Sequence, residues 1–500
     1  MRKRAEKNGV GDFQLQIAFP EGEGSHATGT AEGNGPQASS APVLARSKPE
    51  RKRKWYSLID KVYALPNLQS AWEHVRANRG APGIDGITIK KFAEDADLRL
   101  QRLSEDLRAK TYRPKPVRRV FIEKTGGGQR PLGIPSVRDR IVPQALLQVL
   151  SPIFEAKFSS RSHGFRPERG CATALFVVDG AVKHGYEWVV DADLMAFFDT
   201  VDHEKLIAAL NEEIADGSVL NLITRILKAG VSLPETGQVE ATELGTPQGG
   251  PLSPLMANVY LHRFDERMVE AGFGLVRYAD DFVVFARSEG EAAAALTLAR
   301  EVLEGELGLT LHPEKTRVVS AAEGFEFLGF HYYRDPKTGK LRKEVSRKSV
   351  KRFREAIRKR TPRLRNQRKP KPRNIKAARL AKNQRLQKML GDLNRYLRGW
   401  HWYFKAVWNP YETPFRNFDM FVRRRVRAAI TGSVGDGWWN QRLPNALLRE
   451  LGLIAVDEWQ REYRKGQLAS PARKGALGGE PDAGKLHLRF GKAGGGATSP

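Results

Sequence analysis

The chain has 500 residues, enough for about three domains that each bury a core, and its single cysteine, Cys171, excludes an internal disulfide and any cysteine-rich zinc ribbon. Its 84 Lys and Arg against 57 Asp and Glu give a net charge of +27, a surplus that points to a polyanionic partner, nucleic acid first. No apolar run reaches the ~20 residues that span a bilayer, so the expectation is a soluble, unexported protein of the reducing cytoplasm with no membrane partner.

Residues 1–52 are rich in Gly, Ala, Ser, Glu and Pro without apolar periodicity, a composition that cannot offset its ordering entropy, and they read as a disordered tail. From 53 to 335 strand-like and helical stretches mix. Val117 to Ile134 predicts two strands around Thr125-Gly-Gly-Gly128, since β-branched residues alternate with polar ones and glycines supply the turn. Glu187 to Asp193 predicts a strand that ends in acid. Pro251 to Asp265 predicts an amphipathic helix with Leu252, Leu255, Met256, Val259 and Tyr260 inward and Pro251 in its first turn. Phe273 to Ala286 predicts a hairpin whose apolar arms flank Tyr278-Ala-Asp-Asp281.

Residues 336–465 read as a basic helical region. Between 341 and 430 there are 29 Lys and Arg against 5 Asp and Glu, net +24, which leaves +3 for the rest of the chain. A long helix is predicted from Leu386, with Met389, Leu390, Leu393, Leu397, Trp400 and Phe404 on its buried face. Lys388, Arg395 and Trp402 recur every seven residues on the opposite face, with Arg398 nearby, and cations beside an exposed indole offer phosphate contacts and a stacking platform. Phe415 to Ile430 repeats the design, with Phe418, Val422 and Val426 inward and Arg416, Arg423, Arg424 and Arg427 outward. Residues 466–500 read as a second flexible tail. The fold class is therefore α+β followed by an all-helical basic part.

The acids carry the chemistry. Asp280 and Asp281 at a hairpin tip between apolar strands repel each other unless a cation binds, and Mg²⁺ is the cation that prefers carboxylate oxygens. Asp191 and Asp193 share one strand face. Two acid-tipped strands side by side would set carboxylates around a pair of Mg²⁺ ions ~3.5–4 Å apart, the arrangement that activates a 3′-hydroxyl and stabilises a leaving pyrophosphate.

In chain order the sequence then shows Arg79-Gly-Ala-Pro-Gly-Ile-Asp-Gly86, Tyr112-Arg-Pro-Lys-Pro-Val-Arg-Arg119, Arg130-Pro-Leu-Gly-Ile-Pro135 and Ser162-His-Gly-Phe-Arg-Pro167. Asp191-Ala-Asp-Leu-Met-Ala-Phe-Phe-Asp199, Gly245-Thr-Pro-Gln-Gly-Gly-Pro-Leu-Ser-Pro254, Tyr278-Ala-Asp-Asp281, Leu309-Thr-Leu-His-Pro-Glu-Lys-Thr316 and Phe327-Leu-Gly-Phe330 follow. This succession, from about Trp55 to Leu453, resembles the reverse transcriptases encoded within bacterial group II introns. The resemblance implies a right-hand polymerase, with fingers and palm in 53–335 and a thumb, or maturase, segment in 336–465.

It also implies roles. Asp193, Asp280 and Asp281 would be the catalytic, metal-holding carboxylates, with the Leu194 backbone completing the metal site and Asp191 as a supporting acid. Lys124 and Arg130, on opposite arms of the glycine-turn hairpin, would hold the triphosphate. Phe198 would lie beneath the sugar and exclude a ribose 2′-hydroxyl, and Gln248 would pack against the incoming nucleotide. Phe327 to Phe330 would hold the primer end. Arg166 and the outward cations of the helical region would bind RNA, and Lys351 to Arg373 would be the thumb's first helix and a basic loop broken at Pro362, Pro370 and Pro372.

The function so implied is copying of the intron RNA into DNA, together with binding of that RNA as a ribonucleoprotein to assist splicing. Its partners would be intron RNA, a DNA target or primer and deoxynucleoside triphosphates, with a second copy of the chain as a candidate. After about Trp459 neither a His-Asn-His pattern nor paired cysteines follow, so second-strand cleavage is not expected and the primer would come from elsewhere. The competing readings are a retron, diversity-generating or repair enzyme with the same palm, opposed by the maturase-like segment, and a non-catalytic splicing factor, opposed by the intact acids. Phe198 opposes an RNA-templated RNA polymerase.

Overall fold

A computed structural model describes residues 54–123, 129–233, 238–246, 249–364, 383–408, 413–432 and 443–464. Both tails expected from composition lie outside the described residues. Eleven strands form three sheets among the described residues: β1 (Val117–Glu123), β2 (Gln129–Ile134), β3 (Trp188–Asp193), β4 (Val231–Ser232), β5 (Val239–Glu240), β6 (Gly274–Tyr278), β7 (Asp281–Ala286), β8 (Arg317–Ser320), β9 (Phe325–Phe327), β10 (Phe330–Arg334) and β11 (Leu341–Val345).

The fingers sheet runs β2-β1-β4-β5, its first pair being the antiparallel hairpin expected across the glycine turn. The palm sheet runs β6-β7-β3-β8, so two strands distant in sequence, β3 and β7, become neighbours. A third sheet, β11-β10-β9, leads into the helical region.

The palm strands explain why the acids sit where they do. Residues Phe282 to Ala286 are buried without alternation because the sheet is covered on both faces. Phe282, Val284 and Ala286 join Val190 and Ala192 in one core shared with the fingers and palm helices. Val283 and Phe285 join Val189 and Val276 in a second core, which continues through Phe325 and Phe330 to Leu393, Trp400 and Phe418 of the helical region. Palm and thumb therefore share a core. The expected boundary between 335 and 336 falls inside the β10–β11 hairpin, whose turn is closed by Asp335 N–H donating to the Lys340 carbonyl at 2.9 Å.

The helices follow the apolar periodicity. Gln384–Phe404 buries all seven apolar residues expected on its inner face. Thr413–Thr431 buries Phe415, Phe418, Val422 and Val426. Arg347–Arg360 ends at Thr361, just ahead of Pro362. The palm helix spans Ser253–Glu270, with Pro254 in its first turn. It therefore starts later than Pro251 and runs on past Asp265, because Met268 extends the buried face by a further turn. No helix among the described residues is long and apolar enough to cross a membrane.

Candidate active site

The antiparallel register of β3 and β7 sets Asp193 directly opposite Asp281. Across the hairpin, Asp281 is also paired with Tyr278, so Ala279 and Asp280 form a two-residue turn. Ala279 adopts φ 59°, the left-handed conformation such tight hairpin turns require. The turn carries Asp280 beside Asp281, and the three acids from two distant segments come together at the same end of the two inner strands of the palm sheet.

The electrostatics are strained. Burial, then Asp280, Asp193 and Asp191, push the Asp281 carboxyl well above the usual carboxylate range, and Lys348 pulls it back. Asp191 faces the same way as Asp193 and is pushed up to about 6, chiefly by burial, with Arg317 opposing the shift from 3.6 Å. Asp193 meets Lys315, whose Nζ donates to Oδ2 at 2.5 Å. That contact spans 122 residues, and no motif or periodicity marks Lys315 for it, although the lysine stands in the Leu309 to Thr316 stretch. That stretch is laid along the site by His312 N–H donating to the Asp193 carbonyl at 2.8 Å and by a bridge between Leu194 and Leu311.

With Lys315 on Asp193, no three His, Cys, Asp or Glu among the described residues are gathered tightly enough to hold a metal. The donor set nevertheless fits a hard divalent cation. All its side-chain donors are carboxylate oxygens, and their mutual repulsion is what a cation would relieve.

After β3 the chain turns through left-handed Ala196 (φ 50°) into a short helix, Phe197–Thr200. Phe197 is buried and Phe198 half-buried, their rings edge-on at 5.2 Å. Phe197 belongs to the core and Phe198 packs against its edge, the helical turn dividing the two. Phe198 and Asp199 line a cavity of about 290 Å³ whose opposite wall is Arg119, Pro131 and Gly133 of the fingers sheet. Gly245 (φ 86°) and Thr246 edge the same space, Thr246 N–H donating to the Phe198 carbonyl at 2.8 Å. A Cβ on Gly245 would come within 2.8 Å of that carbonyl. The buried Thr246 hydroxyl has no hydrogen-bond partner among the described residues. Arg130 lies on β2, while Lys124 and Gln248 lie outside the described residues.

The expected RNA-binding residues divide. Lys388, Arg395, Arg398, Arg416 and Arg424 are exposed. Arg166 is not: its side chain is 3 % exposed, pairs with Glu155 at 2.7 Å and donates to the Ser159 and Ser162 carbonyls. That correction has a simple cause, a buried guanidinium satisfied by the carboxylate of Glu155 at the end of the Arg138–Glu155 helix and by the carbonyls of its own loop. Arg423 is turned inward between Asp419 and Asp457, 3.5 Å from each. Arg427 donates to the Leu443 carbonyl and to Asn445. Both therefore tie helices together and are corrected from outward contacts. Trp402 is half-buried with Lys405 Nζ 3.0 Å from its ring centroid, so that face of the indole is covered.

Residues 122–332 match the family model described as reverse transcriptase (RNA-dependent DNA polymerase). The chain is 34% identical over 299 residues to protein YkfC of Escherichia coli (strain K12), covering 52% of this chain and 78% of that one. It is 39% identical over 203 residues to the group II intron-encoded protein LtrA of Lactococcus lactis subsp. cremoris, covering 40% of this chain and 33% of LtrA. The chain belongs to the group II intron reverse transcriptases. Nuclear intron maturase 4, mitochondrial, of Arabidopsis thaliana is 30% identical over 216 residues, covering 42% of this chain and 25% of that protein. This reverse transcriptase thus spans about a third or less of the intron-associated relatives it matches. Among solved structures, the chain titled partial Cas6-RT-Cas1–Cas2 complex is similar at 24% identity and a TM-score of 0.33, over 55% of this chain and 46% of that one.

Proposed function

We propose that this reverse transcriptase copies intron RNA into DNA with a pair of Mg²⁺ ions held by Asp193, Asp280, Asp281 and the Leu194 carbonyl, and that its helical region binds the intron RNA as a maturase. The observation that carries the reading is the register that sets Asp193 opposite Asp281, with Asp280 in the adjoining turn. When bound, the ions would supply activation of the primer 3′-hydroxyl and stabilisation of the pyrophosphate. The chain's own residues do the rest. Lys315 holds Asp193 Oδ2 and would have to release it for that oxygen to hold a divalent cation, since one carboxylate oxygen cannot serve the ammonium and the cation equally well. Phe198 bounds the cavity against the fingers sheet and favours a deoxyribose there, while Lys124, Arg130 and Gln248 meet the triphosphate and base.

RNA binding is assigned to the exposed cations Lys388, Arg395, Arg398, Arg416 and Arg424, because cations at the surface are the ones that can displace counterions from phosphates. Arg395 pairs with Asp392, an exposed pair that contributes at most about 1 kcal/mol and that a phosphate can replace. Primer extension on poly(rA)/oligo(dT) with deoxy- or ribonucleotides in Mg²⁺, with and without intron RNA, tests the reading. Extension with deoxynucleotides is expected; none under any metal or RNA condition would overturn it.

A further inference from the structure

The turn that carries Asp280 and Asp281 is not self-sufficient. A left-handed alanine costs ~1 kcal/mol or more, and the two acids after it repel. Beneath the turn lies Arg277, fully buried, and its guanidinium is spent on fixing it. Nη1 donates to the Ala279 carbonyl at 2.8 Å and to Asn258 Oδ1 at 3.1 Å. Nε donates to Asp265 Oδ1 at 2.6 Å and Nη2 to Asp265 Oδ2. Asp265 and Asn258 both stand on the Ser253–Glu270 helix, where each is at most 1 % exposed.

The Arg277 backbone is held as firmly from the other side. Its N–H donates to the Arg161 carbonyl and its own carbonyl accepts from His163 N–H, both at 2.9 Å. Asn258 closes the ring by donating to the Gly164 carbonyl at 2.9 Å. Gly164 lies so close to the turn that a Cβ would approach Ala279 N to 2.4 Å. One guanidinium therefore joins the palm helix to the carbonyl of the left-handed residue, against a loop with no slack.

We infer that Arg277 is the positioning residue of the catalytic turn. It sets where Asp280 and Asp281 point by holding the Ala279 carbonyl, with Asp265 and Asn258 as its anchors. A planar fork is needed to serve Asp265 with two donors and Ala279 with a third; a lysine ammonium carries the same charge and cannot span them. The inference rests on the proposed role of the acids and deepens it.

The test is steady-state primer extension by the full chain with Arg277→Lys and Asp265→Asn, beside Asp280→Ala. A misplacement of the acids near 1 Å costs ~10²-fold in rate. Arg277→Lys is therefore expected to lower kcat ~10²-fold, and Asp265→Asn, which keeps its size and one acceptor, ~10-fold. The KM for primer–template and the affinity for intron RNA should stay within about twofold, because positioning acts on the chemical step. Should Arg277→Lys fail to fold, Asp265→Asn decides. The inference is overturned if folded variants extend like the parent, or if kcat falls only together with RNA affinity and unfolding midpoint, as a merely structural arginine would require. An active Asp280→Ala would instead sink the catalytic reading itself. An inactive Asp280→Ala beside a fully active Arg277→Lys would sink only the inference about Arg277.

Discussion

In the palm, Asp193 meets Asp281 across a strand pair; in the thumb, Asp419 of Thr413–Thr431 meets Asp457 of Val456–Arg464. Both bring together carboxylates from distant segments, yet the second pair is internally answered. Asp419 is 1 % exposed and accepts from the backbone N–H groups of Val456 and Asp457 at 2.9 and 2.8 Å, capping that helix, while Arg423 sits 3.5 Å from both acids. In the palm, Asp193 is answered instead by a lysine side chain. Asp193 is 36 % exposed and Lys315, its partner, 53 %, so the contact can open at little cost, since an exposed ion pair contributes at most about 1 kcal/mol. Clustered acids become a site where their repulsion is left for a visitor to relieve, and a joint where the protein relieves it itself.

The comparison breaks most visibly at Asp280. Asp280→Ala should lower primer extension at least ~10³-fold, the scale of losing metal-ion stabilisation, with affinity for intron RNA within about twofold. Rate and filter-binding measurements on one preparation read both. Persistent extension would mean that the palm acids, like those of the thumb, are only structural.

Asp419→Ala should do the reverse. At pH 5 it is expected to cost about 1–3 kcal/mol of unfolding free energy, the scale of leaving the buried Val456 N–H without its acceptor, with kcat per folded molecule unchanged. Its pH dependence has a definite sign. Burial, with the Asp457 hydrogen bond, raises the Asp419 carboxyl to about 7, whereas Asp457, which burial also raises, is held below the usual range by Asp419, Arg423 and Arg461. Between about pH 4 and 7 the native pair binds more protons than the unfolded chain, so stability falls as pH rises. Relative to Asp419→Asn, the parent should lose on the order of 2–4 kcal/mol across that window. Urea unfolding at successive pH values checks it; a flat difference would show that the pair shares no proton.

These two regions also differ in how far the sequence discloses them. The two acid-tipped strands are readable because strand alternation and hairpin turns are local patterns, although alternation alone leaves Asp191 and Asp193 on one face and only the resemblance chooses between them. Leu386 to Phe404 is readable because helical period is local too. Lys315 is not, since what brings it to Asp193 is a contact across 122 residues. Arg166 and Arg423 mislead for the same reason: an arginine looks alike whether it faces solvent or Glu155 and Asp457, and those acids lie 11 and 34 residues away. The expected boundary at 335 follows the rise in positive charge along the chain, whereas the β10–β11 hairpin and the core it joins run across that point. The Arg277 network, reaching Asp265 12 residues back and Asn258 beyond it, gives no periodic signal at all.

Arg423 and Arg424 sharpen the comparison within a single helix turn. Arg423→Gln strands two acids that share its guanidinium, and is expected to cost about 1–3 kcal/mol of stability while leaving RNA affinity unchanged. Arg424 is exposed and leaves no buried acid unanswered among the described residues when it is replaced, so Arg424→Gln should leave unfolding within about 0.5 kcal/mol. What it should change is the dependence of RNA affinity on salt, since removing one cation from a phosphate lowers the slope of log K against log salt by ~0.7–0.9. Binding titrations between about 50 and 200 mM salt resolve a change of that size. An unaltered slope for Arg424→Gln, with a lowered one for Arg423→Gln, would reverse the assignment and make the inward arginine the one that meets RNA.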